Sequence, residues 1–450
     1  MELQYGYIIA TLVLTTIISI VIFKKKQPED RSASIYNFTP KFQMETKNNI
    51  LSGITLFAWL SILWRRKYDI EFATYWPRLL FITIMSINNS FVSSIEHFIY
   101  GKAIQRQELN DRPVFILGHP RTGTTHLFNL LSLDSKFAYT NTFQAGFPSG
   151  FLLLERFKVY LKNVVDNKRP MDNMALTLVC NSLSRNLLWR IFSNITLPLS
   201  PILHHALKDS PQEDELGVNV LSKGTSYYQP IVFMKNEKEY RNYINFENGG
   251  TKQEQKLWLE SFLFLMKKVT LRYTNTWDGT AKSKPLLIKS PVHTGRVKLL
   301  YQLFPNAKFI YIHRNPYDVF LSAARMADTA YWYSYLNTPT NEEVIDFIIW
   351  QYQTLYKNYV RDRKLIPKEN LFELSFDELN KNPLKKLTDI YSHFHWDNFV
   401  ESGMKQRVVE YLDSLKGYKK STKSRNLTDE QEKLIKSMWG DSFDTFNYDL

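Results

Sequence analysis

Residues 113–125 read Pro-Val-Phe-Ile-Leu-Gly-His-Pro-Arg-Thr-Gly-Thr-Thr and carry the strongest structural signal in the chain. The apolar run from Val114 to Leu117 predicts a strand that ends at Gly118. A tight loop follows, and a helix is expected to begin at about Gly123. Four residues separate the two glycines and two hydroxyl residues follow the second, which is the spacing of a phosphate-binding loop. Because backbone N–H groups and the helix dipole converge there, such a loop binds an anion.

The cation of this loop is displaced from its usual position. A loop that binds nucleoside triphosphates carries a lysine directly after the second glycine, where it reaches the β- and γ-phosphates. This chain has Thr124 there, and its cation is Arg121, inside the loop. The pattern therefore favours a nucleotide with a different reactive end. The alternative is a strand, turn and helix whose glycine-rich turn arises by chance.

A second anion site is predicted where another apolar strand ends. That strand runs from Lys308 to His313, Arg314 follows it directly, and Ser322 comes eight residues later. Asn315-Pro316 is a favourable helix start, so Ser322 would lie about two turns into that helix. Both side chains would then meet at the carboxyl edge of the sheet, where open α/β folds bind ligands. A surface salt bridge beside an unrelated helix serine is the alternative.

Strands and helices alternate along the rest of the chain. Further strands are predicted at Leu286 to Lys289 and Leu371 to Phe376, each followed by a helix. The alternation predicts an α/β fold, in which a central parallel β-sheet is flanked by helices as in phosphate-loop proteins, with an N-terminal transmembrane helix. We expect an anchor at 1–26, a linker with membrane-proximal helices at 27–105, and the main domain at 106–450.

The N-terminal segment is predicted to cross a membrane once. Tyr5 to Phe23 carries no formal charge, and as a helix it would be about 28 Å long, close to the hydrocarbon thickness. Three lysines at 24–26 follow it, so the positive-inside rule would place the bulk of the protein in the cytosol. Two shorter apolar segments, 50–64 and 79–87, are either interfacial helices on the same membrane or ordinary core helices.

Charge and cysteine content narrow the possible partners. The formal net charge of +13 suits an anionic partner, which includes nucleic acid, anionic lipid and anionic small substrates. The chain has no basic run interleaved with aromatics in a recognisable nucleic-acid motif, so no nucleic acid is expected. The single cysteine, Cys180, excludes an internal disulfide framework.

Taken together, these motifs resemble those of the sulfotransferases that use 3′-phosphoadenosine-5′-phosphosulfate (PAPS). The resemblance rests on the loop at 119–125, on Tyr-Ile-His-Arg-Asn-Pro-Tyr-Asp-Val-Phe-Leu-Ser at 311–322, and on Leu-Ser-Phe-Asp-Glu-Leu-Asn-Lys-Asn-Pro at 374–383. It covers roughly residues 110–430. Tyrosylprotein and several carbohydrate members carry arginine at the loop position of Arg121, whereas cytosolic members carry lysine. Phe376 stands where the family usually has tyrosine.

The resemblance implies which residues bind the donor. The first loop would hold the 5′-phosphosulfate, Arg314 and Ser322 the 3′-phosphate, and the basic tail around Lys419 would cover that phosphate. The loop residues concerned are Arg121, Thr122, Gly123, Thr124 and Thr125. Sulfuryl transfer is an in-line displacement through a loose transition state, in which negative charge develops on the leaving nucleotide. Arg121 would therefore also act catalytically, by stabilising that charge. PAPS is the co-substrate implied, and no metal is expected because a sulfuryl group bears less charge than a terminal phosphoryl group.

The acceptor needs a general base, and three side chains are candidates. Pro211-Gln-Glu-Asp-Glu215 groups three carboxylates whose repulsion can raise one pKa toward neutrality, so Glu213 or Glu215 is favoured. The family resemblance also supports a glutamate base. His293 follows a strand end and is the other candidate, with Lys289 either near the sulfuryl group or neutralising the site. The alternatives are a solvated acidic turn and a histidine satisfied by its neighbours.

The resemblance predicts a membrane-anchored sulfotransferase with its catalytic domain at 106–450. It would move a sulfuryl group from PAPS to a hydroxyl or amine of a small molecule, a carbohydrate or other glycan, a lipid or a sterol. Family analogy would place it in the Golgi lumen, in contrast to the flanking lysines. The alternatives are a nucleotide or small-molecule kinase, which would need a lysine after Gly123 and a magnesium carboxylate, and a catalytically silent membrane scaffold on the same fold.

Overall fold

Four short parallel strands form the centre of the fold. In the computed structural model, which describes residues 36–155, 210–415 and 427–448 apart from 47, 248, 275, 397 and 398, they lie in the order β2-β1-β3-β4. The strands are β1 (Val114–Leu117), β2 (Leu287–Lys289), β3 (Lys308–His313) and β4 (Leu371–Ser375). The central pairing aligns Val114 with Leu287 on one side and with Lys308 on the other. The predicted parallel sheet is thereby confirmed.

Helices connect the strands and cover the sheet. Within the described residues, the helices before β2 are α1 (Leu56–Arg66), α2 (Phe72–Arg106), α3 (Thr124–Leu131), α4 (Thr142–Gly146), α5 (Phe151–Leu154), α6 (Asp214–Leu221) and α7 (Lys252–Arg272). Those after it are α8 (Val297–Leu303), α9 (Pro316–Thr329), α10 (Asn341–Asp362), α11 (Phe376–Lys381), α12 (Pro383–His393), α13 (Met404–Ser414) and α14 (Asp429–Phe446). In addition, 3-10 turns lie at Gln229–Ile231, Met234–Ile244, Pro291–Gly295, Tyr331–Tyr333, Arg363–Leu365 and Lys368–Asn370.

Both faces of the sheet are covered, because side chains of β3 alternate between two apolar layers. Ile310 and Ile312 are fully buried in a cluster that includes residues of α3, α12 and α13. Tyr311, which points to the opposite face, stacks on Tyr359 of α10 with 3.6 Å between ring centroids. This alternation is what a strand with period two requires in a parallel sheet buried on both sides.

The last strand is one residue shorter than the sequence predicts. Phe376 begins α11 instead of ending β4. Ser375 caps the helix, since its hydroxyl accepts a hydrogen bond from the Glu378 amide and the Glu378 carboxylate accepts one from the Ser375 amide. This reciprocal cap satisfies two amides at the helix start and fixes the boundary.

The N-terminal helices are packed onto the rest of the described chain. The Trp59 indole of α1 donates to Thr83 of α2 at 2.9 Å. The Arg78 guanidinium of α2 is fully buried and donates to the backbone carbonyls of Trp332 and Tyr335. Among the described helices, α2 alone has the length and composition to cross a bilayer, a test that a core helix of a soluble protein also passes. The predicted anchor at 1–26 lies outside the described residues.

Candidate active site

The phosphate loop adopts a conformation that depends on left-handed backbone. Gly118, Arg121 and Gly123 have φ values of 148°, 79° and 98°. The Thr122 amide and hydroxyl both donate to the carbonyl of His119, which closes the turn. A side chain at Gly123 would place its Cβ 2.3 Å from the Phe376 ring, so glycine is required there by space as well as by φ.

The loop ends in a helix whose first turn has no side-chain cap. Gly123 is the N-cap of α3 and, having no side chain, cannot accept hydrogen bonds from the first amides of the helix. Those amides have no intrahelical acceptor, and the helix dipole adds positive charge at the same end. Thr124 and Thr125 follow as the first two residues of α3. The predicted loop residues therefore form a cradle of the kind that holds a phosphate-like anion.

The two predicted anion-binding motifs lie against each other. The Arg121 Nε donates to the Ser322 hydroxyl at 2.9 Å, and an Arg314 Nη1 donates to the Arg121 carbonyl at 3.4 Å. Arg314 also forms an ion pair with Asp318 at 3.1 Å, and its guanidinium carbon lies 4.7 Å from the centroid of the Phe376 ring. The structure therefore brings Arg121, Arg314 and Ser322 together, as the sequence motifs predict.

Glu213 reaches the same loop through a buried lysine. The Lys289 ammonium, at the end of β2, lies 2.7 Å from the Glu213 carboxylate and 3.1 Å from the Thr125 hydroxyl. The Lys289 side chain is 1% exposed, whereas that of Glu213 is 18% exposed. A carboxylate that solvent can reach is thus linked by one ammonium group to the start of α3.

Glu215 lies two residues after Glu213, in a different environment. Its carboxylate is fully buried and forms a two-pronged ion pair with Arg296 at 2.8 and 3.1 Å. It also accepts hydrogen bonds from the Trp258 indole and the Ser226 hydroxyl. This carboxylate is therefore surrounded by donors and has no exposed surface.

His293 is equally enclosed. Its Nε2 lies 2.8 Å from the Asp214 carboxylate, and the rings of Phe115 and Phe262 contact its sides. Burial alone would raise the pKa of the Asp214 carboxyl, but its contacts with His293 and Ser290 outweigh burial and hold that pKa below its usual value. His293 itself has no exposed surface.

The acidic run and His293 also have the composition of a metal site. One ligand atom from each of Asp214, Glu215 and His293 lies within 4.8 Å of the others. However, the Asp214 oxygens accept hydrogen bonds from Ser290 and His293, and the Glu215 oxygens from Arg296 and its neighbours. These side chains form a network of hydrogen bonds and an ion pair that fixes the start of α6 against the segment after β2.

Two residues of the site have no signal in the sequence motifs. Thr294 accepts a hydrogen bond from the Gly118 amide at 2.7 Å and returns one to the Gly118 carbonyl, which fixes the loop entry. Arg296 binds the Glu215 carboxylate, although the two residues are 81 positions apart in the sequence. The sequence gives one indication of a role for Thr294 and Arg296, which is that both lie in the short segment after β2, close behind His293. Lys419, predicted to cover the 3′-phosphate, lies outside the described residues.

Comparisons with known proteins identify the family and the fold. A family model described as "Sulfotransferase family" matches residues 113–401. The chain is 28% identical over 397 residues to omega-hydroxy-beta-dihydromenaquinone-9 sulfotransferase Stf3 of Mycobacterium tuberculosis, and equally to that of Mycobacterium bovis, covering 88% of this chain and 90% of the relative. The crystal structure of sulfotransferase STF9 from Mycobacterium avium superposes with a TM-score of 0.54 at 15% identity, covering 88% of this chain and 98% of that one. The solved structure shares the fold, and the family model spans more than half of the sequence and includes both anion-binding motifs. The chain therefore belongs to the sulfotransferase family and is an enzyme that transfers a sulfuryl group.

Proposed function

We propose that this enzyme transfers the sulfuryl group of PAPS to the hydroxyl of a lipid acceptor, with Glu213 as the general base. The observation that carries the proposal is the short chain of contacts from Glu213 through Lys289 to Thr125 at the phosphate loop. It places a carboxylate that solvent reaches beside the cradle for an anionic donor.

The residues at the sheet edge fit the donor. PAPS supplies a sulfuryl group attached to a phosphate that serves as the leaving group. The loop amides of Thr124 and Thr125 would hold the 5′ end, and Arg314 with Ser322 would hold the 3′-phosphate. Arg121 donates to Ser322, so its charge is available to both ends of the nucleotide. Lys289 and Arg121 would stabilise charge on the leaving group, since preorganised cations in a water-poor site act strongly.

Glu213 is the best placed of the three candidate bases. A general base must come within hydrogen-bond reach of the proton that it abstracts. Glu215 and His293 are fully buried and held by Arg296 and Asp214, so an acceptor would have to open that network to reach them. We infer that these two residues orient the start of α6 and thereby aim Glu213 at the loop.

The acceptor is proposed to be a hydroxyl-bearing lipid. The name of the mycobacterial relative specifies an omega-hydroxylated menaquinone, and that relative aligns along 88% of this chain. The aromatic content of 15% suits a large apolar acceptor. The predicted single-pass anchor at 1–26 would hold the enzyme at the membrane where such a lipid resides, with its bulk on the cytosolic side that the lysines at 24–26 favour.

The test is transfer of radiolabelled sulfur by the full-length chain in lipid nanodiscs. With 35S-labelled PAPS and a membrane lipid extract, label should appear in the organic phase. Glu213→Gln should lower the rate by at least 100-fold, a typical contribution of a general base. Binding of 3′-phosphoadenosine-5′-phosphate, measured by calorimetry with EDTA and ATP controls, should change less than threefold.

The matched control is Glu71→Gln. Glu71 forms an ion pair with Lys235 at the same 2.7 Å distance as the Glu213–Lys289 pair, but it lies away from the loop. It should retain transfer. Normal transfer by the Glu213 variant would refute the assigned base, and label found only in a glycan fraction would refute the lipid acceptor.

A further inference from the structure

The outer faces of α1 and α2 are apolar and exposed to solvent. Their large exposed side chains recur at intervals of three, four or seven residues, so each helix presents one apolar stripe. We name these stripes the α1–α2 face, and its residues are Phe57, Leu60 and Trp64 of α1 and Leu80, Ile84, Ile87, Phe91 and Phe98 of α2. Exposure reaches 75% at Trp64 and 92% at Phe98. A soluble enzyme surface seldom exposes so many large apolar side chains on two helices that pack against each other.

The opposite side of α2 is fixed to the enzyme along its length. Near its start, the buried Arg78 binds backbone carbonyls of Trp332 and Tyr335. Near its end, Glu96 forms a fully buried ion pair with Lys268 of α7. A spanning helix would have to abandon both contacts, because its whole circumference must face lipid or another spanning helix. The helix therefore meets a membrane with one side only.

The exposed surface of α2 is depleted of charge. Between Leu79 and Gly101 the one residue with a formal charge is Glu96, and its side chain is 2% exposed. A solvated helix of this length normally alternates apolar and charged faces. The exposed polar residues of this stretch carry no formal charge; they are Asn88, Ser94 and His97. The side chains of Asn88 and Ser94 each donate to a carbonyl four residues earlier in the helix, which lowers the cost of transferring them into an apolar phase.

Basic and aromatic side chains border the face. Arg65 and Lys67 lie at the end of α1, and Lys102 and Arg106 at the end of α2. The Lys67 ammonium lies 4.5 Å from the ring centroid of Trp64 and 4.9 Å from that of Tyr68. Amphipathic aromatic rings beside cations are the composition of the headgroup region, where the rings sit at the interface and the cations attract anionic lipid.

We propose that the α1–α2 face lies flat on an anionic lipid bilayer, with both helices in the plane of the interface. The charge complementarity selects this partner. A second copy of the chain docked through the same face would bring the bordering cations together, whereas anionic headgroups would neutralise them. The proposal is independent of the base assigned above, since none of its residues belongs to the sheet edge.

Site-specific fluorescence on the full-length chain tests this proposal separately from the N-terminal anchor. The single cysteine permits a Cys180→Ser background, into which Ile84→Cys or Phe98→Cys is introduced and labelled with an environment-sensitive nitrobenzoxadiazole dye. On vesicles of phosphatidylcholine and phosphatidylglycerol, both labels should shift to the blue and be quenched equally by a lipid with a shallow nitroxide. Leu365→Cys, at a 47% exposed leucine outside the α1–α2 face, is the matched control and should not respond.

Three results would overturn the proposal. Labels at 84 and 98 that stay in water on vesicles would show that only the anchor binds. Quenching that deepens steadily along α2 would show a spanning helix. A blue shift that depends on protein concentration without vesicles would show self-association. As a further check, Leu80→Ser with Phe91→Ser should at least halve the response of the label at 98, with circular dichroism confirming the fold.

Discussion

At the scale of single residues, three adjacent carboxylates illustrate how burial divides chemically identical groups. Glu213 meets solvent and a lysine, Asp214 meets a histidine, and Glu215 is enclosed by an arginine. The sequence indicates that the acidic run matters and cannot rank its members, because their partners lie 76 to 81 positions away. Arg121, Arg314 and Ser322, by contrast, are predicted correctly as neighbours, since each occupies a fixed place after a parallel strand.

The contact between the two anion-binding motifs leads to a prediction about nucleotide selectivity. Arg314→Ala should weaken binding of 3′-phosphoadenosine-5′-phosphate at least tenfold, because a charge-assisted hydrogen bond contributes about 1.5–3 kcal/mol. Binding of the nucleotide that lacks the 3′-phosphate should change little. Titration calorimetry measures both affinities. Arg363→Ala, which removes a surface arginine paired with Glu373, is the control, and an equal loss for both nucleotides would contradict the assignment.

One buried histidine and one half-buried histidine should make the fold sensitive to acid. Burial lowers the pKa of His119 to about 3 and that of His313 to about 4. The unfolded chain binds a proton at each near pH 6.5, so the stabilisation is complete above that pH and is lost as the pH falls toward the folded-state values. Between pH 7 and 5, each histidine should account for a loss of about 2 kcal/mol of unfolding free energy.

Urea unfolding at the two pH values measures this loss. The Tyr448 hydroxyl lies 2.7 Å from His313 Nδ1, and His313→Gln keeps a hydrogen-bonding group opposite it. Between pH 7 and 5 this variant should lose about 2 kcal/mol less unfolding free energy than the natural chain. Asn88→Gln, which changes an exposed side chain without adding or removing a titratable group, should lose the same amount of unfolding free energy as the natural chain. Identical pH dependence in all three proteins would disprove the buried-histidine account.

At the scale of elements, strands are easier to predict than the loops that they position. The four apolar runs appear as strands within one residue of their predicted ends, since period and burial on both faces leave little choice. The loop geometry depends on contacts from elsewhere, including the Thr294 hydroxyl on Gly118 and the Phe376 ring on Gly123. Those contacts join segments that are far apart in sequence, which local patterns do not encode.

The close approach of α11 to the phosphate loop gives a prediction for Gly123→Ala. The substitution combines a left-handed backbone with a Cβ that would overlap the Phe376 ring, and should cost about 1–3 kcal/mol of stability. It should also weaken nucleotide binding as the loop shifts. Gly440→Ala is the opposite case, because this glycine of α14 has open space around it and alanine favours helix. The melting temperature should therefore fall for Gly123→Ala and rise slightly for Gly440→Ala. An unchanged melting temperature for Gly123→Ala would refute the argument.

At the scale of the whole molecule, elements outside the family-matched segment complete the core. Buried Arg78 of α2 donates to carbonyls of Phe42, Glu45, Trp332 and Tyr335, and burial lowers its pKa to about 10. At the other end of the chain, Trp439 of α14 stacks on Tyr352 with 4.0 Å between ring centroids. Sequence patterns identify the helices but not these junctions, because an arginine in an apolar helix is as compatible with a membrane surface as with a core.

Arg78→Met tests how strongly the N-terminal helices are joined to the enzyme. Methionine fills similar space but leaves several buried carbonyls without a donor, so unfolding free energy should fall by about 3 kcal/mol or more. Denaturant unfolding followed by tryptophan fluorescence measures the change. Arg112→Met replaces an exposed arginine just before β1, and its unfolding free energy should differ from that of the natural chain by no more than about 0.5 kcal/mol. A similarly small change at Arg78 would mean that these helices are held by their apolar contacts alone.

The buried guanidinium of α2 also bears on how the enzyme is removed from the cell. Because two of its partners, the carbonyls of Trp332 and Tyr335, lie more than 250 positions along the chain, we expect that a protease cutting between α2 and β1 would not release a trimmed, working enzyme. The C-terminal fragment would lose the guanidinium that donates to the carbonyls of Trp332 and Tyr335. It would also expose the apolar surface that α2 covers, which cellular proteases and chaperones recognise. Proteolysis should therefore remove the whole enzyme and leave no active fragment. The shortest segment that folds on its own should be longer than residues 113–401, which the family model matches.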